Sequence, residues 1–139
     1  MPGYFDSSVL LSLLLGDPSS REARELWLKE EERVSSVLFE VECLNVLRRI
    51  AKQEFDPKWL AAKEKILSGF LEEISLQNID GQILEIIRRE MRLSDCRSLD
   101  AIHIATALFF KSASPQPLAF HTFDNRMQKL AAELGIPTK

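Results

Sequence analysis

Short apolar segments that favour strands alternate with helical segments along this chain, and this order constrains the fold more than any other feature. The predicted strands are residues 3–6, 33–36, 74–79 and 118–123. Strands separated by helices pair in parallel, and the helices cover both faces of the sheet. We therefore predict one domain over residues 1–139, a three-layer α/β/α fold with a central, mostly parallel sheet of four to five strands.

About seven helices fill the intervals between these strands. Ser7 and Ser8 favour the start of the first helix, whereas Gly16 and Gly135 favour helix ends and Pro57 breaks the chain between two helices. The predicted helices are residues 7–16, 17–32, 37–54, 57–73, 81–93, 98–112 and 124–135.

Composition narrows the class of protein. No apolar run approaches the ~20 residues of a membrane helix, and the start lacks the basic leader of a secretory signal, so we expect a cytoplasmic protein without a membrane. Cys43 and Cys96 are then expected as reduced thiols. The formal net charge of −3 argues against a large, non-specific nucleic-acid surface. This net charge is still compatible with a small basic rim around an acidic site. The candidate residues for such a rim are Arg48, Arg49, Lys52, Arg88, Arg89, Arg92 and Arg97.

Three aspartates stand where a predicted strand is followed by a helix or where a helix begins. They are Asp6, Asp100 and Asp124. Ligands of parallel α/β folds bind at the carboxyl ends of the strands, so these positions are candidates for a site. Each aspartate also has a structural explanation, since a carboxylate in a first helical turn stabilises the helix dipole. Ser98 and Thr122 are the candidate N-caps in that explanation.

Glu42 is the fourth acidic candidate, because it lies in a helix whose apolar pattern indicates burial on most sides. A buried carboxylate needs a cation, and Glu42 shares a helix face with Asn45 and Arg49, which are the alternative partners to a metal. Glu40 competes with Glu42 for the site. Two positions on a helix differ by about 200°, so both glutamates cannot face one site.

Acidic groups that converge on one volume repel each other unless a cation neutralises them. Carboxylate and water ligands suit Mg²⁺ or Mn²⁺, and the two histidines and two cysteines are too scattered to predict a zinc site. A magnesium site in a small α/β domain indicates phosphate chemistry, in which the metal activates a water molecule and stabilises the leaving oxygen.

Four stretches, in order along the chain, resemble the motifs of PIN-domain proteins, and together they resemble the VapC-like branch of toxins. They are YFDSSVLLSLL, SSVLFEVECLNVLRR, RSLDAIHIATAL and FHTFDNRMQKLAAELGI. The resemblance implies a Mg²⁺-dependent ribonuclease that cuts RNA, with a five-stranded parallel sheet. It also implies a homodimer and a small VapB-like antitoxin as partner.

Residue by residue, the resemblance assigns the metal or its water shell to Asp6, Glu42, Asp100 and Asp124. It implies that the hydroxyls of Ser8 and Thr122 support those carboxylates. Asn125 is an alternative oxygen ligand beside Asp124, and the ending IPTK predicts a short or missing last strand.

Other interpretations stay open at this point. A DNA or flap nuclease, a small phosphatase, or a non-catalytic module would each suit the same scaffold.

His103 lies three positions after Asp100 and is able to touch the site, but we expect it, like His121, to be structural. The apolar block Leu10–Leu15 is expected in the core, with a dimer interface or an antitoxin groove as the alternative.

Overall fold

Four parallel strands form the central sheet of the computed structural model, which describes residues 1–138. They are β1 (Pro2–Phe5), β2 (Glu32–Ser36), β3 (Ser75–Gln77) and β4 (Ala119–His121), in the spatial order β3-β2-β1-β4. Tyr4 of β1 stands opposite Val34 of β2 and Phe120 of β4. The strand order places β1 in the interior of the sheet, so its carboxyl end is flanked by two neighbouring strand ends.

Seven α-helices connect and cover these strands, as predicted. They are α1 (Ser7–Leu15), α2 (Ser20–Lys29), α3 (Leu38–Glu54), α4 (Pro57–Leu71), α5 (Gly81–Arg89), α6 (Ser98–Ala113) and α7 (Asn125–Glu133). Within residues 1–138, none of them is both long and apolar enough to cross a membrane.

The predicted helix over residues 81–93 is wrong at its end. It stops at Arg89, and a 3₁₀ helix follows at Met91–Asp95. Glu90 leaves the helical conformation, with φ −105° and ψ 94°, and its side chain accepts a hydrogen bond from the backbone N–H of Arg92 at 3.3 Å. A local side-chain acceptor thus replaces the helical hydrogen bond that the apolar periodicity suggested.

The two faces of the sheet carry separate cores because successive side chains of a strand point in opposite directions. Tyr4 packs on one face with residues of α5, α6 and α7, and its ring stacks on Phe120 at 5.2 Å. Phe5 packs on the other face with residues of α1 to α4, and its ring lies 5.0 Å from Trp27. The predicted three-layer α/β/α architecture is therefore confirmed.

The end of the described chain lies against the outer edge of β4. Ile136 is fully buried, and the backbone N–H of Phe120 donates a 2.7 Å hydrogen bond to the carbonyl of Pro137. No strand forms over residues 136–138, so the described residues contain four strands rather than the five that the resemblance implies. Lys139, the last residue of the predicted stub, lies outside the described residues.

Candidate active site

Asp6 occupies the point where β1 ends and α1 begins. Its Oδ1 atom accepts hydrogen bonds from the backbone N–H of Ser8 at 3.0 Å and from the Ser8 hydroxyl at 2.5 Å. The Thr122 hydroxyl, just beyond β4, donates to Oδ2 at 2.7 Å. Asp6 is the N-cap of α1 and is only 5% exposed. Two strand ends therefore hold one buried carboxylate in a fixed orientation.

Burial raises the pKa of Asp6 above its ordinary range, because a charged carboxylate loses the hydration that water gives it. The charge of His103 and the hydrogen bonds from Ser8 and Thr122 lower this pKa in turn, but they offset burial only in part. Asp6 is consequently a carboxylate whose ionised form would gain from a nearby cation.

Glu42 lies in the second turn of α3 and faces the same region. Its Oε1 atom accepts a hydrogen bond from the Ser7 hydroxyl at 3.2 Å and lies 2.6 Å from Nε2 of His103. These partners lie in α1 and α6. The alternative partners expected from the sequence, Asn45 and Arg49, lie in α3 itself. The side chain of Glu42 remains 23% exposed, so it is able to reach a ligand from solvent.

His103 connects Glu42 to the core beneath the sheet edge. Its Nδ1 atom lies 2.6 Å from the hydroxyl of Tyr4, and both residues are buried. Burial raises the pKa of Tyr4 far above its ordinary value, so the phenol keeps its proton. The neighbouring hydroxyls of Ser35 and Thr106 donate to backbone carbonyls. His103 therefore bridges the Tyr4 hydroxyl and the Glu42 carboxylate through its two ring nitrogens, with Nε2–H donating to Glu42.

Asp100 lies in the first turn of α6, one turn before His103. Its carboxylate is 18% exposed and lies 3.5 Å from Nε of Arg97, whose own side chain is 82% exposed. An ion pair that is so open to solvent contributes little to stability. The first turn of α6 has no side-chain cap, so the suggestion of Ser98 as its N-cap is wrong.

Asp124 is itself the N-cap of α7, which corrects the suggestion that Thr122 fills this role. Its Oδ1 atom accepts hydrogen bonds from the backbone N–H groups of Arg126 at 2.8 Å and Met127 at 3.1 Å. Its own N–H donates to the Thr122 hydroxyl at 3.0 Å. Asn125, the alternative ligand, is the exposed first residue of α7.

Hydrogen bonds join several of these side chains at the carboxyl edge of the sheet, but within residues 1–138 none joins Asp100 to Asp6 or Glu42. Thr122 bridges Asp6 to the backbone of Asp124, and a cavity of about 150 Å³ is lined by both Asp100 and Asp124. Adjacent serines Ser7 and Ser8 contact Glu42 and Asp6 respectively. Within residues 1–138, however, no three His, Cys, Asp or Glu side chains stand together as a ready metal site.

Sequence reasoning missed the roles of Tyr4 and His103. His103 is buried and hydrogen-bonded, as a structural histidine would be, yet its partner is Glu42 of the candidate site. The available signal was its position one turn after Asp100 on an otherwise apolar helix. Tyr4, two positions before Asp6, carried no comparable signal, because an aromatic residue in a buried strand is ordinary.

A family model described as the PIN domain matches residues 3–133. The chain belongs to the PIN-domain family. The sequence is 29% identical over 133 residues to "Ribonuclease VapC46" of Mycobacterium tuberculosis (strain ATCC 25618 / H37Rv), covering 96% of this chain and 92% of that protein. It is 31% identical over 140 residues to "Ribonuclease VapC47" of Mycobacterium tuberculosis (strain CDC 1551 / Oshkosh), covering 97% and 93%. The resemblance to VapC-like PIN proteins is thus confirmed.

The fold of this chain is also similar to that of a solved structure. A chain of the "Toxin-antitoxin complex from Klebsiella pneumoniae" superposes with a TM-score of 0.64, at 21% identity, over 89% of this chain and 88% of that one. At this level of identity the likeness supports the fold alone.

Proposed function

We propose that this PIN-domain protein is a Mg²⁺-dependent endoribonuclease, the toxin of a toxin–antitoxin pair. The observation that carries the proposal is the buried carboxylate of Asp6 at the end of an interior strand, with Glu42 held beside it through Ser7 and His103. The names of the two full-length relatives, both ribonucleases, support RNA as the substrate.

The donor set fits a hard divalent cation. Its members offer carboxylate oxygens only, and burial already raises the pKa of Asp6, a cost that a cation would relieve. Mg²⁺ commonly takes one or two carboxylates directly and keeps several waters, so a ready cluster of three side chains is not required. The residues that would hold Mg²⁺ or its water shell are Asp6, Glu42, Asp100 and Asp124, with Mn²⁺ as a substitute.

When bound, the metal supplies a nucleophile at neutral pH and stabilises the charge on the phosphodiester. The protein's own contribution is orientation. Ser8 and Thr122 fix both oxygens of Asp6, while His103 holds Glu42 through Nε2–H. Supporting hydrogen bonds of this kind keep carboxylates in a productive geometry.

Partners follow from the same proposal. We also propose a small VapB-like antitoxin, a homodimer and a location in the cytoplasm, as the resemblance to VapC-like toxins implies. The superposed chain comes from a complex named for a toxin and an antitoxin, which supports a similar partner here. A DNA or flap nuclease and a non-catalytic module are the competing functions that the experiment must separate.

Cleavage by the purified protein tests the proposal. Single-stranded and structured RNA, single-stranded DNA and a DNA flap are compared with Mg²⁺ and with EDTA. Asp6→Asn is expected to abolish cleavage, whereas Asp80→Asn, another aspartate N-cap that lies at the start of α5, is expected to preserve it. Faster cleavage of DNA than of RNA would refute the proposal. It would also be refuted if Asp6→Asn, or the wild type in EDTA, cleaved RNA as fast as the wild type does with Mg²⁺.

A further inference from the structure

Phe55 ends α3 with a backbone conformation that is unusual for an aromatic residue. Its φ is +52°, in the left-handed region, and its N–H bonds the carbonyl of Ala51 as a helix C-cap. Glycine is the usual residue at such a position, because a side chain there is strained. The side chain is also 90% exposed. A large aromatic ring is thus held in water at a position where glycine would be less strained.

A cavity of about 700 Å³ opens beside this ring, between the end of α3 and the start of α4. Its wall combines apolar surface with three cationic side chains, Arg48, Arg49 and Lys52, and with one carboxylate, Asp56, which caps the start of α4. Arg48 forms an ion pair with Glu64 at 2.8 Å. Within residues 1–138, no ion pair is found for Arg49 or Lys52. Two exposed cations therefore flank the exposed ring.

The same two cations lie on the face of α3 that leads back to the candidate site. Glu42, Asn45, Arg49 and Lys52 are spaced by three, four and three residues, so they fall on one side of the helix. At the helical rise, Arg49 stands about 10 Å and Phe55 about 20 Å along the axis from Glu42. A continuous exposed strip joins the acidic site to the aromatic ring.

From this strip we infer that the α3 face is the path of single-stranded RNA beyond the scission site, an inference that rests on the proposed ribonuclease function. Arg49 and Lys52 contact phosphates, and a base stacks on Phe55. Two cations followed by an exposed ring suit an anionic strand whose unpaired bases offer flat faces. Charge complementarity favours RNA here over an apolar protein segment, since the strip carries two cations in a chain of net charge −3.

Binding of a fluorescent oligouridine, measured by anisotropy in EDTA, tests this path without cleavage. Phe55→Gly is expected to weaken binding by about fivefold to a hundredfold, as loss of one stacked base would, while the melting temperature stays level or rises because the backbone strain is relieved. Phe55→Trp is expected to retain binding. Arg49→Ala with Lys52→Ala is expected to weaken binding and to reduce its dependence on salt.

The control for charge is Arg24→Ala with Lys29→Ala, which removes two exposed cations from α2. The control for apolar surface is Leu28→Ala, a side chain that is 67% exposed. Both should bind oligouridine much as the wild type does. An equal loss in the α2 double variant, or unchanged binding in the α3 variants, would overturn the path.

Cleavage assays on the same proteins separate this inference from the proposed function. If the wild type cleaves RNA and the α3 variants bind it normally, the path is wrong and the ribonuclease remains. If binding maps to α3 but no RNA is cleaved, this face binds RNA as inferred, while the catalytic proposal and the scission site fail. If the α3 variants change self-association or antitoxin binding while oligouridine binding is untouched, the strip is a protein interface and the path is overturned.

Discussion

Glu42 and His103, 61 positions apart in sequence, meet at 2.6 Å between Oε1 and Nε2. The contact joins the amino-terminal part of α3 to α6. On the other side of the imidazole ring, Nδ1 of His103 contacts the hydroxyl of Tyr4, which lies in the interior strand β1. The candidate site is thus anchored to the core through a histidine.

Tyr4→Phe should destabilise the protein by about 1–3 kcal/mol, since Nδ1 of the buried His103 would lose its hydrogen-bond partner. Urea denaturation measures the loss. The double variant with His103→Leu provides the control, because no ring nitrogen then remains to be left unpaired. A coupling energy near zero in this cycle would contradict the assigned hydrogen bond.

Asp6→Asn should stabilise the metal-free protein near neutral pH. Because the native pKa of Asp6 is raised, the native state binds this proton more tightly than the unfolded chain. Ionisation of Asp6 therefore lowers stability as the pH rises from about 4 through the raised pKa. Asparagine is a comparable N-cap that carries no charge.

Denaturation in EDTA across that pH range gives the difference in free energy of unfolding between Asp6→Asn and the wild type. It should be small below the ordinary aspartate range and grow as the pH rises. The exposed N-cap variant Asp80→Asn should show no such growth. A difference for Asp6→Asn that is constant with pH would show that burial does not perturb this carboxyl.

Thr122→Val should reduce Mg²⁺-dependent cleavage by about 10- to 100-fold, the usual effect of losing a supporting hydrogen bond to a metal ligand. The hydroxyl donates to Oδ2 of Asp6 and accepts from the N–H of Asp124, so its loss frees both. Thr106→Val is the matched control, a buried threonine whose hydroxyl bonds the Ile102 carbonyl of its own helix and lies beside Tyr4 rather than Asp6. Equal rates for the two variants would argue against the role of Thr122.

Gly3→Ala should destabilise the fold by about 1–3 kcal/mol through overpacking. A Cβ atom at Gly3 would stand 2.6 Å from Cγ of Glu30 and 3.0 Å from Cδ2 of His121, a buried pair whose side chains meet at 2.9 Å. Gly69→Ala, in open space on α4, should instead stabilise by about 0.5–1 kcal/mol. Thermal melts compare the two, and a Gly3 variant as stable as the wild type would contradict the packing described.

Much of the fold could be predicted because strand and helix periods are local properties of the sequence. The four strands, seven helices and three layers follow from them. The end of α5 could not, since Glu90 caps the next turn with its own side chain. The N-caps were misassigned because Asp, Ser and Thr compete for the same role, and only geometry shows that Asp6 and Asp124 fill it.

The acidic residues of the candidate site could be proposed from their positions at strand ends, at helix starts and within an apolar helix, but their supporting contacts could not. Thr122 and Asp6 lie 116 positions apart, and the pairing of Tyr4 with His103 spans 99. Such contacts depend on how the layers pack, which periodicity does not encode. The exposed ring of Phe55 was likewise invisible, because its exposure and left-handed backbone are tertiary features.

Mn²⁺ binding, followed by electron paramagnetic resonance, tests whether these carboxylates hold a divalent cation without relying on cleavage of any substrate. We expect that the wild type binds Mn²⁺, that Mg²⁺ displaces it, and that Asp6→Asn weakens binding by at least about tenfold while Asp80→Asn leaves it unchanged. Mn²⁺ bound with the same affinity by the wild type and Asp6→Asn, or by neither, would contradict the cation site.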